Sequence, residues 1–168
     1  MKKIIVVLLL SLFAATVVSA KGKTIQFSLV LTQEEAQKTA HKKYLFANKP
    51  GKKAEEILVN KDAFLTNADI SAFKITKKED ARNKILPVLN ILFTDQGSQK
   101  LAEITTANTK RQIAIIVDNE VYETVFILFP LVKGYTQITS WKIDTNEKAA
   151  SLVKDLGFDP AFRAKPEK

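Results

Sequence analysis

Apolar and polar residues alternate with a period of two over residues 24–31 (TIQFSLVL). Ile25, Phe27, Leu29 and Leu31 share one face, against Thr24, Gln26 and Ser28. That period predicts a half-buried strand. Thr32 followed by Glu35 has the spacing of a capping box, which predicts a short helix directly after it. Residues 40–53 (AHKKYLFANKPGKK) hold five lysines, one histidine and the breaker pair Pro50-Gly51, and read as an exposed loop. Short strands are predicted at 56–60 and 71–76, and a more apolar one at 88–93. The spacing then changes to steps of three and four through Leu101, Ile104 and Ala107, predicting a helix over 95–108 with Thr94 as its cap. Strands follow at 111–117, 121–129 and 135–140. A closing helix has Asp144 or Thr145 as cap, Ala149, Leu152, Val153 and Leu156 as its apolar face, and Gly157 where a left-handed cap is needed. Residues 158–168 contain two prolines and several charges and predict a loose tail. The order of elements predicts a single α+β domain with a mixed, mostly antiparallel sheet and two principal helices.

The strands at 111–117 and 121–129 form a hairpin in RQIAIIVDNEVYETVFILFP. Its tight turn needs a positive φ, which Asn119 tolerates better than most residues. Simple alternation puts Glu123 on the same face as Val121 and Val125, where a buried carboxylate would lack a partner. A bulge or a strand end near 123–124 would relieve that conflict.

Composition changes this picture mainly at the N-terminus. Met1-Lys2-Lys3 precedes an apolar run over residues 4–18, and Val18-Ser19-Ala20 supplies small residues before Lys21. That order predicts a signal peptide over 1–20, cleaved near Ala20. The run is shorter than the roughly 20 residues that span a bilayer, and no later segment matches it. Residues 21–168 are enough for one domain with a sizeable core. There is no cysteine, so neither disulfides nor a thiol ligand or nucleophile contributes. The expected location is the periplasm or the cell exterior. The formal charge is +8, of which Lys2 and Lys3 in the leader account for part. A basic balance favours anionic partners. An exported chain without a basic-aromatic stripe does not fit nucleic acid.

With those elements in place, the segment FTDQGSQKLAEITTANTKRQIAIIVDNEVY resembles the head subdomain in the first large periplasmic domain of SecD, from the bacterial preprotein translocase. The matching residues are Phe93, Gly97, Thr105, Asn108, Ala114 and Asp118, then Gly134 and Ile138, then Glu147, Ala149, Leu152 and Leu156. Upstream, LTNADISAFKI is similar to the family's Leu-Thr-x-x-Asp-Ile-x-x-Ala step. The resemblance covers residues 58–157, and more loosely the strand at 25–30. Three positions depart from the pattern. Lys110 stands where the family has glycine, Asp118-Asn119 replaces its Asp-Gly turn, and Thr124-Val125 replaces its Ala-Pro. The resemblance implies a soluble head that touches polypeptide emerging from a translocase, without the membrane helices or motor of SecD. The domain assignment is therefore a signal peptide over 1–20, a SecD-head-like domain over 21–157 and a tail over 158–168.

Candidate chemistry is sparse. His41 is the only histidine, so a two-histidine metal site cannot form within one chain. Neither a phosphate-binding glycine loop nor a Gly-x-Ser-x-Gly or Ser-x-x-Lys motif occurs. Glu103, Asp118, Glu120 and Glu123 are carboxylates that could in principle pair for acid–base work, but Asp118 reads as a turn residue and Glu103 as the solvent side of its helix, so no acid–base pair is assigned. No cofactor, metal or catalytic residue is assigned. Two surfaces are candidates for a partner, each of which also has an ordinary structural account. Phe126, Phe129, Tyr135 and Trp141 form an apolar patch suited to a polypeptide or an envelope protein. Alternatively, Lys42, Lys43, Lys49, Lys52 and Lys53 dock on an anionic membrane surface or glycan.

Overall fold

A computed structural model describes residues 22–79 and 83–162. The expected signal peptide and the far end of the tail lie outside the described residues. Three strands of the main sheet come from the two segments with the clearest period-two or apolar character. β1 (Ile25–Leu31) lies between β7 (Gln112–Val117) on one side and β3 (Glu55–Asn60) with the short β4 (Leu65–Thr66) on the other. β2 (His41–Phe46) and β8 (Glu120–Phe126) close the two ends of this antiparallel sheet. A second sheet runs β10–β5–β6–β9, from Ala161–Phe162, Ile70–Glu79, Ile85–Phe93 and Tyr135–Ile138. Its β10–β5 pair is parallel and the others are antiparallel.

The main core lies between the two sheets. Ile25, Phe27, Ile113, Ile115 and Val117 from the first face Phe73, Ile75, Leu89, Ile91 and Ile138 from the second. α2 (Asp95–Ala107) adds Leu101, and α3 (Asn146–Asp155) adds Ala149, Leu152 and Val153. The first sheet also curls, so that β2 and β3 fold over its outer face. Val59, Ala114, Ile116 and Val121 are buried there, with Tyr44 and Phe46 packed against them. β7 is therefore covered on both faces, which explains why its sequence is an unbroken apolar run instead of an alternation.

Local sequence sets most boundaries. Thr32 and Glu35 form the expected capping box at the start of α1 (Gln33–Lys38). Thr94 and Thr145 accept amide hydrogens at the starts of α2 and α3. Gly157 has φ +87°, and the Phe158 and Gly157 amides donate to the carbonyls of Val153 and Lys154, which ends α3 in a Schellman motif.

Three expectations need correction. Residues 41–46 are a strand, not part of a loop: β2 pairs with β3 over its whole length, with Tyr44 and Phe46 packed against the outer core and Lys43 and Leu45 on the opposite, solvent face. β8 ends at Phe126 rather than 129, ahead of Pro130, which has no amide hydrogen to offer a ladder. The tail is tied down at its start, since Phe158 packs edge-on against Phe73 at 5.0 Å and 161–162 pair with β5.

Candidate functional site

β7 and β8 are joined through Asp118 and Asn119, both with positive φ (50° and 66°), as a type I′ hairpin turn requires. Ile116 pairs with Val121 but Ile115 pairs with Glu123, so Tyr122 is the extra residue of a bulge. The bulge separates Val121 from the side chains that follow it. Val121 faces the small outer core, whereas Glu123 and Val125 lie opposite Ile115 and Ile113, which belong to the main core. Glu123 thus shares a face with Val125 but not with Val121, contrary to simple alternation. Its carboxylate has partners: the Thr139 amide donates to it at 2.7 Å and the Thr139 hydroxyl at 3.0 Å. Burial pushes the Glu123 carboxyl above its ordinary value, against the opposing pull of these two donors. The Ser140 hydroxyl also donates to the Tyr122 carbonyl at 2.6 Å.

These bonds pin the end of β9 to the bulge in β8. Each is the last strand of its sheet. Beyond the pinned end the two edges border a cleft of about 430 Å³ lined by Val125, Leu131, Val132, Tyr135 and Gln137, among others. Two strand edges with no strand paired to them among the described residues thus flank one apolar opening.

The connector from β8 to β9 forms the rim. Ile127 is buried; its amide donates to the Arg111 carbonyl and its carbonyl accepts from the Lys110 amide. The Leu131 amide donates to the hydroxyl of fully buried Thr105 at 2.9 Å. Gly134, at φ +68°, accepts from the Phe93 amide, and a Cβ there would lie 2.7 Å from the Ser98 hydroxyl oxygen. Between these anchors Leu128, Phe129 and Val132 are exposed.

Phe126, Phe129 and Tyr135 therefore gather around the connector, all exposed. Trp141 does not join them. It lies in a single 3-10 turn, where its indole N–H donates to the Ala47 carbonyl at 3.1 Å and the Lys142 ammonium sits 5.8 Å from its ring. It borders a different cleft of about 660 Å³, together with Lys49, Pro50 and Pro87. Lys42 and Lys43 project from β2, and Lys43 pairs with Glu56 at 3.1 Å. Lys49, Lys52 and Lys53 are exposed on the β2–β3 connector. Sequence reasoning missed Leu128, Val132 and the paired edges. The available signal for the first two was Pro130, which stops a strand and turns the preceding apolar run into a rim.

A second polar junction lies at the start of α2. Thr66 and Asp69 cap a 3-10 turn, Asn67–Asp69. The Asp69 carboxylate also receives the Lys100 ammonium at 2.7 Å, and its backbone carbonyl accepts from the Thr94 amide. Burial alone would raise the Asp69 carboxyl, but Lys100 and the Thr66 amide outweigh it and hold the group below its ordinary value. Gly97 packs so closely here that a Cβ would collide with the Asp69 carbonyl oxygen. Glu103 accepts from Gln99, and Glu120 pairs with Lys142. Among the described residues no three His, Asp or Glu side chains converge as a metal site would need, and no helix is long and apolar enough to cross a membrane.

The junction at Asp69–Gly97, the Thr105 contact and Gly134 all fall at positions of one known pattern. A family model described as SecDF, P1 head subdomain, matches residues 40–156. The chain belongs to that family. The match begins well before residue 58 and so takes in β2 and its lysines. A SecD protein translocase subunit from Acidaminococcus fermentans is 32% identical over 78 residues, which is 46% of this chain and 18% of that protein. The head-family chain thus spans less than a fifth of this SecD relative. A SecDF crystal structure in a super-membrane-facing form aligns with a TM-score of 0.54 at 21% identity, covering 79% of this chain and 18% of the other. A second solved structure, of a SecDF membrane component described as enhancing protein export, aligns with a TM-score of 0.54 at 21% identity, covering 80% of this chain and 62% of the other. These structures share the fold, which is α+β with mixed sheets.

Proposed function

We propose that this head-family chain is an exported, non-catalytic module that binds polypeptide in connection with protein export, in the periplasm or outside the cell after removal of residues 1–20. The observation that carries the reading is the cleft between the free edges of β8 and β9. An extended segment entering it can bond to either edge through its backbone, which is blind to side-chain sequence and suits varied clients. Tyr135, Leu131 and Val132 supply apolar contact beside those edges. Holding an unfolded client removes its conformational entropy, so the affinity is modest.

The test is titration of the protein with a labelled unfolded polypeptide at low and moderate salt. Saturable binding that persists at moderate salt, and weakens about tenfold in Tyr135→Ala, is the expected result. No saturable binding, or binding indifferent to changes at Tyr135 and Val125, overturns it. A second reading has its own observation. Lys42, Lys49, Lys52 and Lys53 are exposed without an ion-pair partner among the described residues. Binding that is abolished by salt and by neutralising these lysines with Lys43 would favour an anionic lipid or glycan surface.

A further inference from the structure

The connector between β8 and β9 projects a tip that the core does not use and that only Val132 shares with the peptide cleft. Leu128, Phe129 and Val132 are 64%, 75% and 70% exposed. They follow and precede anchored residues, because Ile127 is bonded to Arg111 and Lys110, Leu131 to Thr105, and Gly134 to Phe93. Pro130 at its centre fixes its own φ. Apolar side chains held outward on a fixed backbone gain nothing from folding, and such patches mark contact with another phase or molecule.

Two cations flank this tip. Lys133 directly follows Val132, and the Lys110 amide is bonded to Ile127. Both are exposed, and neither has an ion-pair partner among the described residues. Nearby Arg111 is already engaged by Glu35 and Asn108.

From this arrangement we infer that the Leu128–Phe129–Val132 tip inserts into the interface of an anionic lipid bilayer, with Lys110 and Lys133 on the head groups. Three features single out lipid. The amides of Ile127 and Leu131 on either side of it are already bonded, so it offers side chains rather than a backbone edge to a client chain. Three partly exposed side chains of this size present a few hundred Å² at most, short of the about 800 Å² per partner that a specific protein interface buries. A bilayer needs no matching surface, since acyl chains wrap each side chain separately. The flanking charge is of the sign an anionic leaflet attracts.

The inference places the opposite pole away from the membrane. Trp141 lies at the start of β8, where Lys142 bonds Glu120 and the Val121 carbonyl, whereas the tip follows the end of that strand. This gives a direct test. Phosphatidylglycerol–phosphatidylcholine vesicles carrying brominated acyl chains are added to the purified protein and to Phe129→Trp. The expected result is quenching of the new tryptophan, with the native Trp141 emission unchanged. In the Phe129→Trp background, Leu128→Ser with Val132→Ser should weaken binding about 100-fold. Lys110→Gln with Lys133→Gln should weaken it about 20-fold and flatten its salt dependence. All these side chains are exposed, so circular dichroism should stay unchanged. An unquenched position 129 overturns the inference. So does quenching of Trp141, which would put the lysine-rich pole on the membrane. A spectral change at position 129 caused by unfolded polypeptide or by rising protein concentration, without one caused by vesicles, would assign the tip to a client or a second copy instead.

Discussion

Lys110 sits at φ +69°, a region that costs residues with a Cβ about 1–2 kcal/mol. Its amide must face the Ile127 carbonyl, so the backbone has no easy escape. The head-family pattern's glycine at this position is thus a conformational requirement that this chain meets under strain. Lys110→Gly should raise stability by roughly 0.5–1 kcal/mol once glycine's greater unfolded-state freedom is subtracted. The midpoint of urea unfolding measures it, and a clear loss would mean that the Lys110 side chain contributes packing. Asn119, at φ 66°, fits the sequence-based expectation of a positive φ there and should likewise tolerate glycine. Glu123 poses an electrostatic question instead. Burial raises its carboxyl above the ordinary 4.5, so the native state keeps this proton to higher pH than the unfolded chain does. As pH rises from that ordinary value through the raised one, stability falls, because the native form binds more protons. Glu123→Gln keeps an acceptor for the Thr139 amide and removes the titration. Melting temperatures from pH 4 to 8 should therefore decline less, or climb more, in this variant than in the parent. Asp69, held below its ordinary value, contributes with the opposite sign and remains in both proteins.

At the scale of elements, α2 works as a bracket. Its start is locked to Asp69 through Thr94 and Gly97, and its Thr105 hydroxyl bonds the Leu101 carbonyl and accepts from the Leu131 amide. Thr105→Val preserves shape but strands that amide, at a cost of about 1–3 kcal/mol. Faster hydrogen exchange at Leu131, with α2 itself still protected, is the expected signature. Gly97→Ala should cost at least as much, since the obstructing atom is backbone. How far such elements were legible depends on whether their cause is local. The capping box at Thr32–Glu35, the Thr94 and Thr145 caps and the Gly157 stop are local patterns, and each is found where the residues predict it. β2 escaped because an edge strand with one wet face has the composition of a loop; only its pairing with β3 makes it a strand. The bulge was expected one residue late, because its position follows from the register against β7, which lies in neither strand's own sequence. For the same reason the cleft between β8 and β9 was not legible. It exists only because two sheets end side by side; of the aromatic group expected as one patch, Tyr135 lines it and Trp141 borders a separate cleft.

The whole molecule is organised by one shared core, and that makes a demand on how it unfolds. The main core draws side chains from both sheets and from α2 and α3, so neither sheet can lose its partner and keep its own apolar face dry. Leu101 is a sensitive reporter, being 1% exposed and contributed by a helix that touches both β4 and β6. Leu101→Ala should cost about 2–5 kcal/mol through lost transfer energy and the cavity left behind. Because the core is shared, that loss should appear undiminished in every probe. Trp141 fluorescence reports the turn after the second sheet's edge strand, and far-ultraviolet circular dichroism averages both sheets and the helices. The two unfolding curves should coincide in the parent and shift together in the variant, as two-state behaviour requires. A variant whose Trp141 transition stayed in place while the dichroism moved would show two sheets that fold apart. The cleft between β8 and β9 depends on the answer. Its two edges belong to different sheets, and only a shared core fixes the spacing at which a polypeptide could bridge them.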